Sequence, residues 1–141
     1  MNLEYCQYWI SLFAKKPDEL ITLYDPEFLF EDINFGVRIE DDLTALKEFQ
    51  EAFVNEDETH SYNKFNVWDY VGDETLGSFQ WHWDAKHAGD FLGVPAAGKL
   101  THVRGVTVMG WRDGKITLER SIWDAAAALQ QLGAIPAPVP A

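Results

Sequence analysis

Apolar side chains recur at helical spacing between residues 2 and 14, where Leu3, Cys6, Ile10 and Phe13 share one face. Tyr5, Tyr8, Trp9 and Leu12 cover much of the remainder, which predicts a helix buried on two sides. Pro17 and Asp18 suit the first turn of a second short helix reaching Leu23, because proline is tolerated there and an acid complements the helix dipole. Phe28, Leu29 and Phe30 read as a strand. Asp41 and Asp42 then look like a cap for a helix from about Leu43 to Val54, with Leu43, Leu46, Phe49 and Phe53 on its core face.

From residue 61 the period changes from that of a helix to that of a strand. Tyr62 to Tyr70 and Leu76 to Asp84 alternate around a turn at Val71 to Glu74, and His102 to Trp111 and Ile116 to Trp123 form a second pair around Arg112 to Lys115. Asp124 precedes an alanine-rich helix that Gly133 and Pro136 end. Three helices, a run of strands and a closing helix predict an α+β cone, a curved antiparallel sheet with N-terminal helices enclosing a hydrophobic pocket. Residues 1–135 read as a single domain, and residues 136–141, proline and alanine with one valine, as a mobile tail.

Composition sharpens what such a pocket would hold. The chain has 141 residues, six of them Trp and nine Phe, a surplus of large rings that favours an apolar pocket for an aromatic or polycyclic ligand. The net charge of −12, with acids densest between Glu31 and Glu58, disfavours nucleic acid and anionic lipid as partners. One cysteine, Cys6, permits no internal disulfide and no cysteine-based metal site, which fits a reducing cytoplasm. The N-terminus does not read as a signal peptide, and no apolar run approaches the roughly 18 residues that span a bilayer. A soluble protein is expected.

The four histidines lack ligand spacing, so no metal site is expected, and neither a nucleophile elbow nor a dinucleotide-binding glycine loop is present. The carboxylates are more informative. Asp32 ends the apolar run Phe28 to Phe30 and reads either as an exposed strand-end acid or as a general base at the edge of an apolar cavity. Tyr8 reads either as a core tyrosine or as a phenol that stabilises enolate-like charge. If Thr107 faces the cavity, Gly105 and Met109 share its side, and Glu119, Ser121 and Trp123 form one face of the next strand. Glu119 is then either the carboxylate of that face or a cross-strand partner of Arg104 or Arg120. Trp81 and Trp83 fall on one face with Phe79, as core or as pocket wall, and Asp124 reads as a helix cap.

Gly89-Asp90-Phe91-Leu92-Gly93-Val94-Pro95 with Gly98-Lys99, the turn Arg112-Asp113-Gly114-Lys115-Ile116, the pair Trp123-Asp124 and Leu129-Gln130-Gln131-Leu132-Gly133 together resemble the SnoaL-like polyketide cyclase family. That family lies within the superfamily of cones that also holds ketosteroid isomerases. The resemblance implies a cofactor-free pocket for a small hydrophobic ligand and a homodimer packed through the sheet. It also implies that Ser121 stands where SnoaL-type cyclases carry the aspartate for aldol closure, and that Thr107 stands at the accompanying histidine. Both exchanges remove a titratable group, and a serine hydroxyl cannot replace a carboxylate that must exchange a proton near neutral pH.

The segment Tyr24 to Asp32 is similar to the ketosteroid isomerase segment that ends in its general base, which maps onto Asp32, and the same register places Tyr8 at the oxyanion-stabilising tyrosine. The resulting expectation is an acid/base enzyme of the isomerase, cyclase or dehydratase type acting on a small hydrophobic carbonyl or polyketide-like compound. Asp32 and Tyr8 would be catalytic, with Trp9, Phe28, Phe30, Trp81, Trp83, Thr107, Glu119, Ser121 and Trp123 contacting the substrate. The alternative is a non-catalytic binding protein on the same scaffold.

Overall fold

A computed structural model describes residues 1–137; of the tail expected at 136–141, residues 138–141 lie outside the described part. Helix α1 (Leu3–Phe13) starts at Asn2, whose side chain accepts from the Tyr5 N–H, and α2 (Pro17–Leu20) follows with proline in its first turn and a 3₁₀ turn at Ile21–Leu23. Strands β1 (Tyr24–Asp32) and β2 (Val37–Glu40) come next, then helix α3 (Leu43–Glu51), capped by Asp42. The rest of the sheet is β3 (Tyr62–Val67), the two-residue β4 (Val71–Gly72), β5 (Leu76–Lys86), β6 (Leu100–Arg112) and β7 (Lys115–Trp123). Helix α4 (Ala125–Gln131) closes the chain, with the Asp124 side chain accepting from the Ala127 N–H as its cap. No described helix is long and apolar enough to cross a membrane.

The strands form one curved, open sheet in the order β2-β1-β7-β6-β5-β3, with β4 paired to β5. This is the expected α+β cone, with β4 inside the stretch read as a turn and two further additions. β2 was not foreseen; it is short and lies at the sheet's edge, where alternation over four residues gives a weak signal. The pairing of β1 with β7 is parallel, so the sheet is mixed, and strands from opposite ends of the chain lie side by side.

Register arranges the concave face in rows. Asp32 pairs with Ser121, Ser121 with Thr107 and Thr107 with Phe79. One row along lie Phe30, Glu119, Met109 and Gly77, and on the other side Trp123, Gly105, Trp81 and Val67. Because alternate residues share a face, each row faces the helices. Burial agrees: β6 and β7 alternate between enclosed and more exposed positions over most of their length.

The helices cover this face with rings. Trp9 packs against Phe13 and Phe79, Phe13 against Phe53 and Phe65, and Phe49 against Phe30, with centroids 4.9 to 5.7 Å apart. One glycine is indispensable to this packing. A Cβ at Gly105 would stand 2.3 Å from the Trp81 ring, so the indole crosses β6 only because that position lacks a side chain. Replacing Gly105 with alanine is expected to displace Trp81 and cost about 1–3 kcal/mol in urea denaturation; an unchanged midpoint would show that the ring does not depend on this gap.

Candidate active site

A narrow cavity opens between the helices and the concave face. Fifteen residues line it, and ten of them are aromatic. Trp9, Ile10 and Phe13 come from α1, and Phe49 and Phe53 from α3 and the residues that follow it. Phe35 comes from the turn after β1, and the remainder from strands. The polar lining consists of Asp32, Thr107, Glu119 and Ser121.

Asp32, at the end of β1, is only 7% exposed. Its Oδ1 accepts the Phe35 N–H at 2.9 Å, and the Trp123 indole N–H lies 3.3 Å from both carboxylate oxygens. Burial raises its pKa above the ordinary aspartate value, and the hydrogen bonds from Phe35, Trp123 and Asn34 oppose the shift. Neither lysine nor arginine lines the cavity. The carboxylate is thus oriented by neutral donors alone, with no cation beside it in the lining.

Glu119, on β7, is enclosed, and Tyr24 at the start of β1 is 4% exposed. The Tyr24 hydroxyl donates to Glu119 Oε1 and accepts the Trp9 indole N–H at 3.2 Å. Burial pushes the Glu119 pKa up to about 8 against the opposing Tyr24 hydrogen bond, with a smaller push from the Asp32 charge, which favours the neutral acid near pH 7. Thr107 and Ser121 form a neutral pair, their hydroxyls 2.7 Å apart, with the Trp81 N–H donating to Thr107 Oγ1 at 2.9 Å.

Nine of the expected site residues therefore come together on one cavity: Trp9, Phe30, Asp32, Trp81, Trp83, Thr107, Glu119, Ser121 and Trp123. Two do not. Tyr8 is 51% exposed and belongs with Glu4, Gln7 and Ser11 to the outward stripe of α1, so its hydroxyl does not reach the cavity. The expectation that α1 is buried on two sides is corrected with it: the polar spacing of Glu4, Gln7 and Ser11 already marks a solvent face. Phe28 is buried but packs edge-on to Tyr24, outside the cavity lining.

Tyr24 is the phenol that sequence reasoning missed. It stands first in the segment that drew attention to Asp32, but its proximity to Glu119 depends on pairing between distant strands. The missed ring positions, Phe35 and Phe65 among them, carry no local sign of facing a cavity. The glycine-rich stretch after β5 also gains a physical role. Leu92 and Gly93 both have positive φ, forming a tight turn in which Phe91 and Val94 exchange backbone hydrogen bonds. The turn places Phe91 against Phe35, Trp83 and Trp123, beside the cavity.

Known structures share this architecture. The chain is similar to a protein of ketosteroid isomerase-like fold from Catenulispora acidiphila, crystallised in complex with trimethylamine, at 13% identity over 99% of this chain and 100% of that one, TM-score 0.73. It is similar to a candidate polyketide cyclase from Xanthomonas campestris pv. campestris at 16% identity over 92% and 94% of the two chains, TM-score 0.74. IdmH from Streptomyces antibioticus, also described as a candidate polyketide cyclase, matches at 20% identity over 92% and 95%, TM-score 0.68. These likenesses show the fold. No curated protein matches the chain in sequence. The model of the SnoaL-like polyketide cyclase family matches residues 7–132, nearly the whole described chain, and on that match the chain belongs to this family.

Proposed function

We propose that the protein is an acid/base enzyme that moves a proton next to the carbonyl of a small hydrophobic compound, in a reaction of the isomerase, cyclase or dehydratase type. One observation carries this reading: the Asp32 carboxylate is enclosed in an aromatic cavity, oriented by Trp123 and the Phe35 N–H, with no cationic residue in the lining to lower its basicity. Binding in the ring-lined cavity holds the substrate while Asp32 takes the proton. Asp32 stands on a different strand from the position at which the SnoaL-type cyclases carry their aspartate, here Ser121, so the reaction is not their aldol closure by the same group.

A second reading, a binding protein without turnover, draws support from the Thr107 and Ser121 hydroxyls. They hydrogen-bond to each other and occupy the two positions where the family's titratable groups would stand. A homodimer is part of the proposal as well. Val106 and Ile122 pair across β6 and β7 on the outer face of the sheet and remain 37% and 55% exposed, the kind of apolar patch that a second copy covers.

The enzyme reading predicts exchange of the α-protons of a cyclic ketone such as 1-tetralone for deuterium, followed by proton NMR in D₂O. The rate is expected to rise with pH through the elevated Asp32 pKa, and Asp32→Asn is expected to lower it by about 10²–10⁴-fold. Binding without exchange in the wild type would favour the second reading, and exchange unchanged in the variant would remove Asp32 from the mechanism. For the dimer, sedimentation velocity should give twice the chain mass, and Ile122→Glu should return it to the monomer; a monomeric wild type at about 100 μM would sink that proposal.

A further inference from the structure

The cavity holds a second carboxyl group that the proposed proton transfer does not use, and its surroundings dictate which of its oxygens can act. An indole N–H only donates, so Trp9 uses a lone pair of the Tyr24 oxygen, and Tyr24 in turn gives its own hydrogen to Glu119 Oε1. The chain Trp9 to Tyr24 to Glu119 therefore runs in one direction and ends on an acceptor. Glu119 Oε2 has no hydrogen-bond partner among the described residues, and Glu119 lines the cavity. With Oε1 occupied as an acceptor, the acid proton belongs on Oε2.

We propose that Glu119 is the residue that selects the ligand's oxygen, donating from Oε2 to a neutral carbonyl or enol oxygen and excluding ligands whose oxygen is a carboxylate. The proposal rests on the reading of the cavity as the ligand site. Three observations fit together. Asp32 is an acceptor, and the Thr107–Ser121 pair, which spends one of its two hydroxyl hydrogens internally, keeps only a weakly acidic donor, so Glu119 is the strongest donor to an oxygen in the lining. Phe30 pairs with Glu119 and Asp32 with Ser121 on the adjacent strands, so the two acids lie diagonally across β1 and β7 on the same face and both line the cavity. An anionic ligand would meet Asp32 and an acidic site with no lysine or arginine in the lining, and burying its charge there is unfavourable.

The ionisable groups around Glu119 are Asp32 and Tyr24 on β1 and Tyr5 on α1; the two phenols are held above the ordinary tyrosine value by burial, so they stay neutral while Glu119 titrates. The donor is present below about pH 8 and is lost above it as Glu119 ionises. The sense of the chain also determines how a glutamine would sit: its carbonyl takes the Tyr24 hydrogen and its amide N–H₂ faces the cavity. Glu119→Gln thus preserves the donor but not its titration.

The test compares 1-tetralone with tetralin, which has the same two-ring skeleton without the oxygen, by isothermal calorimetry and by infrared spectroscopy of the ¹³C-labelled ketone. In the wild type, the bound carbonyl stretch should move to lower frequency, and 1-tetralone affinity should fall between pH 7 and 9.5 while tetralin affinity does not. Glu119→Leu should weaken 1-tetralone on the order of tenfold, leave tetralin unchanged or tighter, and abolish the frequency shift. Glu119→Gln should keep both ketone affinity and shift at pH 7 and lose the pH dependence. An unshifted carbonyl in the wild type, or a Glu119→Leu variant that weakens both compounds equally, overturns the proposal while the cavity remains a ligand site. Failure of both compounds to bind the wild type overturns the cavity reading and this inference with it. The wild-type spectra and pH series need no variant, so a poorly folding Glu119→Leu does not shield the proposal.

Discussion

The parallel pairing of β1 with β7 is the constraint on which the cavity depends. It joins a strand that ends at residue 32 to one that begins at residue 115, and everything between them is the crossover. Side chains alternate along a strand, so a slip of one residue would turn Asp32 and the other β1 cavity residues outward and bring Glu31 inward. The outer face resists that slip: Arg120 lies 3.3 Å and Arg38 2.8 Å from the Glu31 carboxylate, pairs that exist only in the observed register. Exposed ion pairs contribute little stability, and the larger penalty for a slip is the burial of unpaired charge.

Four of the six tryptophans do two jobs in this arrangement, while Trp68 and Trp111 stand outside the cavity lining. Each of the four indoles is a large piece of wall and also a single, unambiguous donor. Trp9 holds Tyr24, Trp81 holds Thr107, Trp123 holds Asp32, and Trp83 donates to the Asn63 side chain at 3.0 Å. A phenylalanine would fill similar space but leave those oxygens to find other partners. The acidity of the cavity groups is therefore adjusted by neutral donors, without any cation in the lining.

Much of this was legible in the chain and some was not, for physical reasons. Helices and strands announced themselves through period and caps, and the alternation around Thr107 and Ser121 assigned one face of β6 and β7 correctly. Asp32 was found because it follows a run of apolar residues on its own strand. Tyr8 was misplaced because an ungapped register carries a role from one position to another without asking which side of the helix faces water. The contact of Tyr24 with Glu119 was invisible because it arises between strands, where only the pairing of β1 with β7 brings the groups together. The same holds for β2, whose four residues gain meaning as a strand only from the neighbour they pair with.

All four polar groups of the cavity stand on β1, β6 and β7, whereas the residues contributed by α1 and α3 are apolar without exception. The cavity is thus divided into a reactive floor and a shape-giving roof that belong to different secondary structures. Hydrogen bonding ties each floor residue to others, so a change there propagates, while the roof is held by ring contacts that tolerate exchange of one bulky side chain for another. On such a scaffold the size and outline of the ligand can diverge through substitutions in two helices while the chemistry beneath is inherited unchanged.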